Sequence, residues 1–349
     1  MINVGLLKRI CETPGAPGFE QKIRELVLRE VRPLVDEVNV DALGNVIATR
    51  RGKVRKKVMI AAHMDEIGFI VTHVDDDGFL RFHPLGGFDP KTLTSQRVIV
   101  HGKKDLIGVM GSKPIHLMSP EERHKVVPIH DYFIDLGMEK AEVEKFISVG
   151  DPITRERELI EMGDCVNSKS LDNRVSVFIL LETLRELQQS ELPYDVYGVF
   201  TVQEEVGLRG AISSAHLVDP DFGFGLDVTI AFDVPGANGH EMVTRLGKGA
   251  AIKILDGSVI SDYRMVNYLK KIGTAQQIPW QLEILPAGGT DTAGVQRSGK
   301  KGAIAGAISI PLRHIHQTTE MAHKRDILNC IQLLKGGLLE LDKYNWEFK

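Results

Sequence analysis

The chain has 349 residues, 43% of them hydrophobic and 26% charged, a globular composition that excludes disorder. Its 43 basic against 47 acidic residues give a formal charge of −4, which argues against nucleic acid as a partner. The longest apolar stretch, residues 177–181, is far short of the ~20 residues that cross a bilayer. No secretory signal opens the sequence, and the three scattered cysteines (Cys11, Cys165, Cys330) form no CxxC pair, so a cytoplasmic protein without a disulfide framework is expected.

In chain order, residues 19–34 place Ile23, Leu26, Val27, Val31 and Leu34 on one helical face. Residues 58–62 (VMIAA) read as a strand covered on both sides. The basic run Arg50, Arg51, Lys53, Arg55, Lys56 and Lys57 lies between two apparent strands and is expected to form a solvated hairpin tip. From Asp75 to about Asp164 short β-like runs alternate with Gly, Pro and Asp, interrupted by one helix near residues 139–147, as in a small inserted β-rich domain. Beyond it, helix 171–189, strands 196–202 and 223–231, two further strand–helix alternations and a closing helix at 324–341 predict an α/β fold. Its mixed or parallel sheet would be packed between helices.

Five segments put a metal-capable side chain at the end of a strand or the start of a helix, where sites collect in open α/β sheets. His63 follows an apolar strand, with Asp65 two residues on and able to accept the second imidazole N–H. Asp172 could cap the long helix or bridge two metals. Glu204 and Glu205 end a β-branched strand, and neighbouring carboxylates are costly to bury without a cation or proton. One could ligate while the other serves as general base. Asp227 and Asp233 are embedded in apolar sequence, and His314 and His316 share one side of an extended segment. Taken singly, each segment has an ordinary structural explanation. Together they supply the N/O ligand set that suits zinc, cobalt or manganese. No GxSxG elbow, P-loop or strand-to-helix GxGxxG competes with them.

The ordered segments AHMDEIGF, LDNR, QEEVGLRGA, DVTIAFDVPG, LGKGAAI, GGTD and IPLRHIH resemble the tetrahedral (TET) aminopeptidase family, whose members also bear the names glutamyl or deblocking aminopeptidase and endoglucanase. The similarity runs from the first helix nearly to the C-terminus. It implies a mixed central sheet sandwiched by helices (residues 1–68 and 165–349) with an inserted β-barrel-like dimerisation domain (69–164). It also implies two divalent ions, zinc or cobalt or else manganese. His63 and Asp227 would hold one and Glu205 and His316 the other, with Asp172 bridging both and followed by a cis peptide. Glu204 would be the general base, Asp65 the orienting partner of His63, and Thr290 and Asp291 neighbours of the substrate. Three positions depart from the family pattern: His314 stands at the usual tyrosine, Ser176 at the usual glycine, and Gln317 at the usual serine. Residue type alone does not separate His314 from His316; the resemblance selects His316.

The implied activity is metal-dependent release of N-terminal residues from short peptides, inside dimers that build a hollow dodecamer. A di-metal N-deacylase or carboxypeptidase is the nearest alternative. A glycoside hydrolase is disfavoured because aromatics make up only 6% of the chain, and because adjacent glutamates on a strand face opposite ways.

Overall fold

The computed structural model describes residues 2–348. The chain opens with α1 (Val4–Glu12) and α2 (Gln21–Val31), then β1 (Glu37–Val40), β2 (Val46–Arg50) and β3 (Val54–His63). Short strands follow: β4 (Gly68–Val74), β5 (Leu80–Leu85), β6 (Arg97–His101), β7 (Asp105–Gly111), β8 (Phe133–Asp135) and, after the single-turn α3 (Lys140–Val143), β9 (Pro152–Arg155). Next come β10 (Ile160–Met162), β11 (Cys165–Ser168), α4 (Leu171–Glu186), β12 (Tyr194–Thr201), α5 (Arg209–Val218) and β13 (Phe222–Ile230). The chain closes with β14 (Ala250–Leu255), α6 (Tyr263–Ala275), β15 (Trp280–Ile284), α7 (Thr292–Arg297), β16 (Ile304–Arg313), β17 (Glu320–His323) and α8 (Lys324–Leu339).

An 11-stranded mixed sheet runs β1-β2-β12-β3-β13-β16-β17-β11-β10, with β14 joined to β16 and β15 to β14. Its centre is parallel: β12 and β13 flank β3, and β16 pairs with β13. Helices α1, α4, α6 and α8 pack together on one face, while α5 and α7 cover β12, β13 and β16 from the other. Strands covered on both faces are largely apolar, which is why 58–62 shows no alternation. Helix α4 is buried on nearly every side, because α1, α8 and the sheet surround it.

Strands β4-β5-β8-β7-β6-β9 form a separate closed barrel with its own core of Phe69, Leu80, Val98, Val100, Ile134 and Ile153. By β10 the chain has already rejoined the large sheet, where Ile160–Met162 pairs with β11. The helix expected at 139–147 is a single turn at Lys140–Val143, and α1, which buries Leu6, Leu7, Ile10 and Cys11 on one face, is not among the expected elements.

The basic run is not a hairpin tip. Strand β12 lies between β2 and β3, so the segment connecting them bridges a neighbour. Buried Asp195 of β12 draws in Arg51 at 3.4 Å and Arg55 at 3.1 Å, and Lys57 Nζ donates to Val218 O at 2.7 Å. Local sequence reports where strands end but not which strands pair across the chain.

Candidate metal centre

The parallel centre of the sheet explains why five distant segments meet. His63 is the last residue of β3, Asp227 lies near the end of β13, Glu204 and Glu205 follow β12, and His316 follows β16. All four strand ends point the same way, and the N-terminus of α4 brings Asp172 to the same edge. The Asp172–Asn173 peptide is cis.

The two carboxylate oxygens of Asp172 face different imidazoles. His63 Nε2 lies 3.4 Å from Oδ1, and His316 Nε2 lies 3.3 Å from Oδ2. His63 Nε2 is also 3.7 Å from Glu204 Oε2 and 3.9 Å from Asp227 Oδ1, while His316 Nε2 is 3.7 Å from Glu205 Oε2. Three sets could each hold a cation, with ligand atoms within 4.8 Å of one another: His63–Asp172–Asp227, Asp172–Glu205–His316 and His63–Glu204–Glu205. The first two share Asp172. His314 is exposed and belongs to none of them, and Asp233 instead pairs with Arg313 at 2.7 Å.

Both imidazoles are held by Nδ1, leaving Nε2 aimed at the carboxylates. His316 Nδ1 donates to Gly87 O at 2.8 Å, and His63 Nδ1 donates to the backbone carbonyl of Asp65 at 3.2 Å. The Asp65 carboxylate stands farther from His63 Nδ1, at 3.5 Å. It accepts instead from Glu204 N and Glu205 N, both at 3.1 Å, one through each oxygen. It therefore orients the glutamate pair more directly than the histidine.

Electrostatics show what the cluster lacks. Burial, with Asp227 and Glu205 nearby, pushes Glu204 well above the carboxylate range despite His63. Asp227 is likewise raised well above that range by burial and by Asp172. Glu205 rises to about 7 through burial and the charge of Asp172. Burial would raise Asp172 too, but hydrogen bonds from His316 and His63 hold it below the ordinary range. Burial opposes protonation of His316, yet Asp172 and Glu205 lift it to about 10. Among the described residues, none of these four carboxylates pairs with a lysine or arginine, and Glu205 Oε1 has no hydrogen-bond partner. Four acids balanced by two imidazoles form an N/O donor set suited to divalent cations.

The cluster opens into a cavity of about 450 Å³ whose lining also includes Leu208, Ile230, Leu285, Lys253 and Asp256. Lys253 is clamped by Asp256 at 3.0 Å and Glu283 at 2.9 Å. Thr290 lines the cavity and donates through Oγ1 to Asp256 at 2.9 Å. Asp291 is not among the residues that line the cavity. It is 1% exposed, accepts from the Thr201 hydroxyl, and is raised to about 6 by burial. Ser176 is fully buried.

Sequence reading passed over Glu66 and Glu320. Glu66 is buried beneath the site and bound by Lys169 Nζ at 2.7 and 2.6 Å. Glu320 accepts from the backbone of two cluster residues. Glu66 stands three residues after His63 and Glu320 four after His316, but a lone acid in that position carries no distinguishing pattern.

The chain superposes on aminopeptidase APDkam598 from the archaeon Desulfurococcus kamchatkensis with a TM-score of 0.93 and 41% identity, covering 97% of this chain and 94% of that one. It is 35% identical to the lysyl aminopeptidase of Pyrococcus furiosus, with 98% of each chain covered. It also superposes on the TET1 peptidase of Pyrococcus horikoshii, which can assemble into a tetrahedron or a large octahedral shell, with a TM-score of 0.87, 33% identity and coverage of 97% and 99%. A sheet of this topology with its barrel insertion, and likeness to these enzymes over nearly the whole chain, define a peptide hydrolase of the aminopeptidase class. The chain belongs to the M42 glutamyl aminopeptidase family, whose sequence model matches residues 44–333.

Proposed function

We propose that this aminopeptidase is a two-metal enzyme in which Glu204 is the general base. The reading is carried by one observation: two three-residue ligand sets share Asp172, each oxygen of which faces a different histidine. His63 and Asp227 would hold one divalent ion, Glu205 and His316 the other, and Asp172 both. Bound there, zinc, cobalt or manganese would acidify a water and polarise the scissile carbonyl.

The remaining work falls to the chain. Glu204 is buried, lines the cavity beside His63, and has its backbone N–H held by Asp65. It would take a proton from the acidified water and return it to the departing amine. Asp65 would keep Glu204 and Glu205 in register, one as base and one as ligand. The substrate's first side chain would lie against Leu208, Ile230 and Leu285, beside Thr290.

Self-association belongs to the same proposal. The barrel exposes Ile107 (61%) and Val109 (49%) on β7, and Leu117 (70%) beyond it. Paired through this apolar face, dimers would build a dodecameric shell that admits only short peptides. No helix among the described residues is long and apolar enough to cross a membrane. A solution mass of 38.7 kDa by light scattering, the value for one chain, would refute the assembly.

The chemistry is tested with one short peptide and its N-acetylated twin, each after chelation and again with zinc or cobalt restored. Release of the first residue from the free peptide alone, only with metal present, supports the reading. Cleavage of only the blocked twin would move it to a deacylase.

A further inference from the structure

Glu320 opens β17, is 0% exposed, and belongs to none of the three sets able to hold a cation. Its oxygens reach two residues far apart in the chain. Oε2 accepts from Asp172 N at 3.0 Å and Oε1 from His316 N at 3.0 Å. These are two of the three residues of the Asp172–Glu205–His316 set.

His316 needs such support. Its φ is +63°, in the left-handed region that is uncommon for a residue with a Cβ, so bonds that hold it there matter. Three separate elements do so: Glu320 takes its N–H, Gly87 takes Nδ1 at 2.8 Å, and Arg155 Nη1 donates to its carbonyl at 3.1 Å. Arg155, at the end of barrel strand β9, is only 3% exposed. No equivalent bond from Glu320 reaches His63 or Asp227, whose places are set by β3 and β13.

We infer that Glu320 is the positioning residue of the His316 half of the centre, joining Asp172 to His316 through a single carboxylate. The inference rests on the two-metal reading. Replacing an outer partner of this kind weakens a metal site by roughly 10-fold to 100-fold.

Chelator-stripped wild type, Glu320→Ala and Glu320→Gln are titrated calorimetrically with zinc chloride, after a melting curve shows that each zinc-free variant folds. Glu320→Ala should bind one zinc ~10-fold to 100-fold more weakly, and weaken the other, which shares only Asp172 with it, by clearly less. Glu320→Gln keeps one acceptor but turns an amide N–H₂ towards the second backbone N–H, so it should shift the same site by less. If the alanine variant does not fold, the glutamine variant carries the test. Two unchanged affinities, or equal weakening of both together, would overturn the positioning role while leaving the two-metal reading intact. Fewer than two zinc ions on the wild type would overturn both.

Discussion

Replacing Glu66 by glutamine tests how the floor of the site is held. Glu66 is 0% exposed, takes Lys169 Nζ on both oxygens at 2.7 and 2.6 Å, and lies 3.6 Å from Arg174 Nη2. Burial would raise its pKa, but the two cations reverse that and hold it below the ordinary range. Glu66→Gln keeps the volume and strands the Lys169 ammonium, whose side chain is 3% exposed. Breaking a buried pair from one side costs about 3–5 kcal/mol. At ~2.1 cal/mol/K per residue over 349 residues, the unfolding entropy is roughly 0.7 kcal/mol/K, so the melting temperature should fall by about 4–7 °C. Lys169 already lies below its ordinary pKa through burial, and the variant lowers it further. The unfolded chain would then bind more protons than the folded one, so stability should recover as pH rises towards the ordinary lysine range. Glu66→Gln combined with Lys169→Met should also recover much of the loss. Calorimetry of metal-free protein at pH 7 and pH 9 makes the comparison. A fall below about 1 °C, or an equal fall at both pH values, would refute a charge-based floor.

Glu204→Gln should keep its full metal content, measured by elemental analysis, and lose roughly 10²-fold to 10⁴-fold in kcat; normal turnover would remove Glu204 from the chemistry. Asp172→Ala should lose bound metal from both halves, and unchanged stoichiometry would leave it a helix-start residue only. Glu20 is 2% exposed, and its pKa is raised from 4.5 to about 7, first by burial and then by Asp65. Its folded state therefore binds the extra proton, and the favourable contribution present at low pH is lost as pH rises through about 7. Glu20→Gln should accordingly be more stable than wild type by about 2–3 kcal/mol at pH 8 and equal to it near pH 4, as read by denaturant unfolding. Gly225 lies on β13, where an added Cβ would meet Thr292 Oγ1 at 1.9 Å. Gly225→Ala should cost about 1–3 kcal/mol of stability through overpacking, and an unchanged melting temperature would show that α7 yields freely.

The sequence by itself determined what local chemistry can determine. Largely apolar runs identified β3, β12 and β13, because a strand covered on both faces carries few polar residues. The residue types of His63, Glu204, Glu205 and Asp227 marked a candidate metal site, since donor type is a property of the side chain alone. Pairing and approach were decided only by tertiary structure. The basic run bridges β12 because an antiparallel neighbour far away in the chain enters between β2 and β3. Exposed His314 and half-buried His316 differ in nothing local, and Gly87, Arg155 and Glu320 select between them from three other elements. Asp65 turned from the imidazole to two backbone amides, and Asp291 turned from the cavity to Thr201, because direction is set by what packs behind a residue. The buried carboxylates Glu66 and Glu320 stayed silent for the same reason: an acid shows its role only when a partner over a hundred residues away is folded against it.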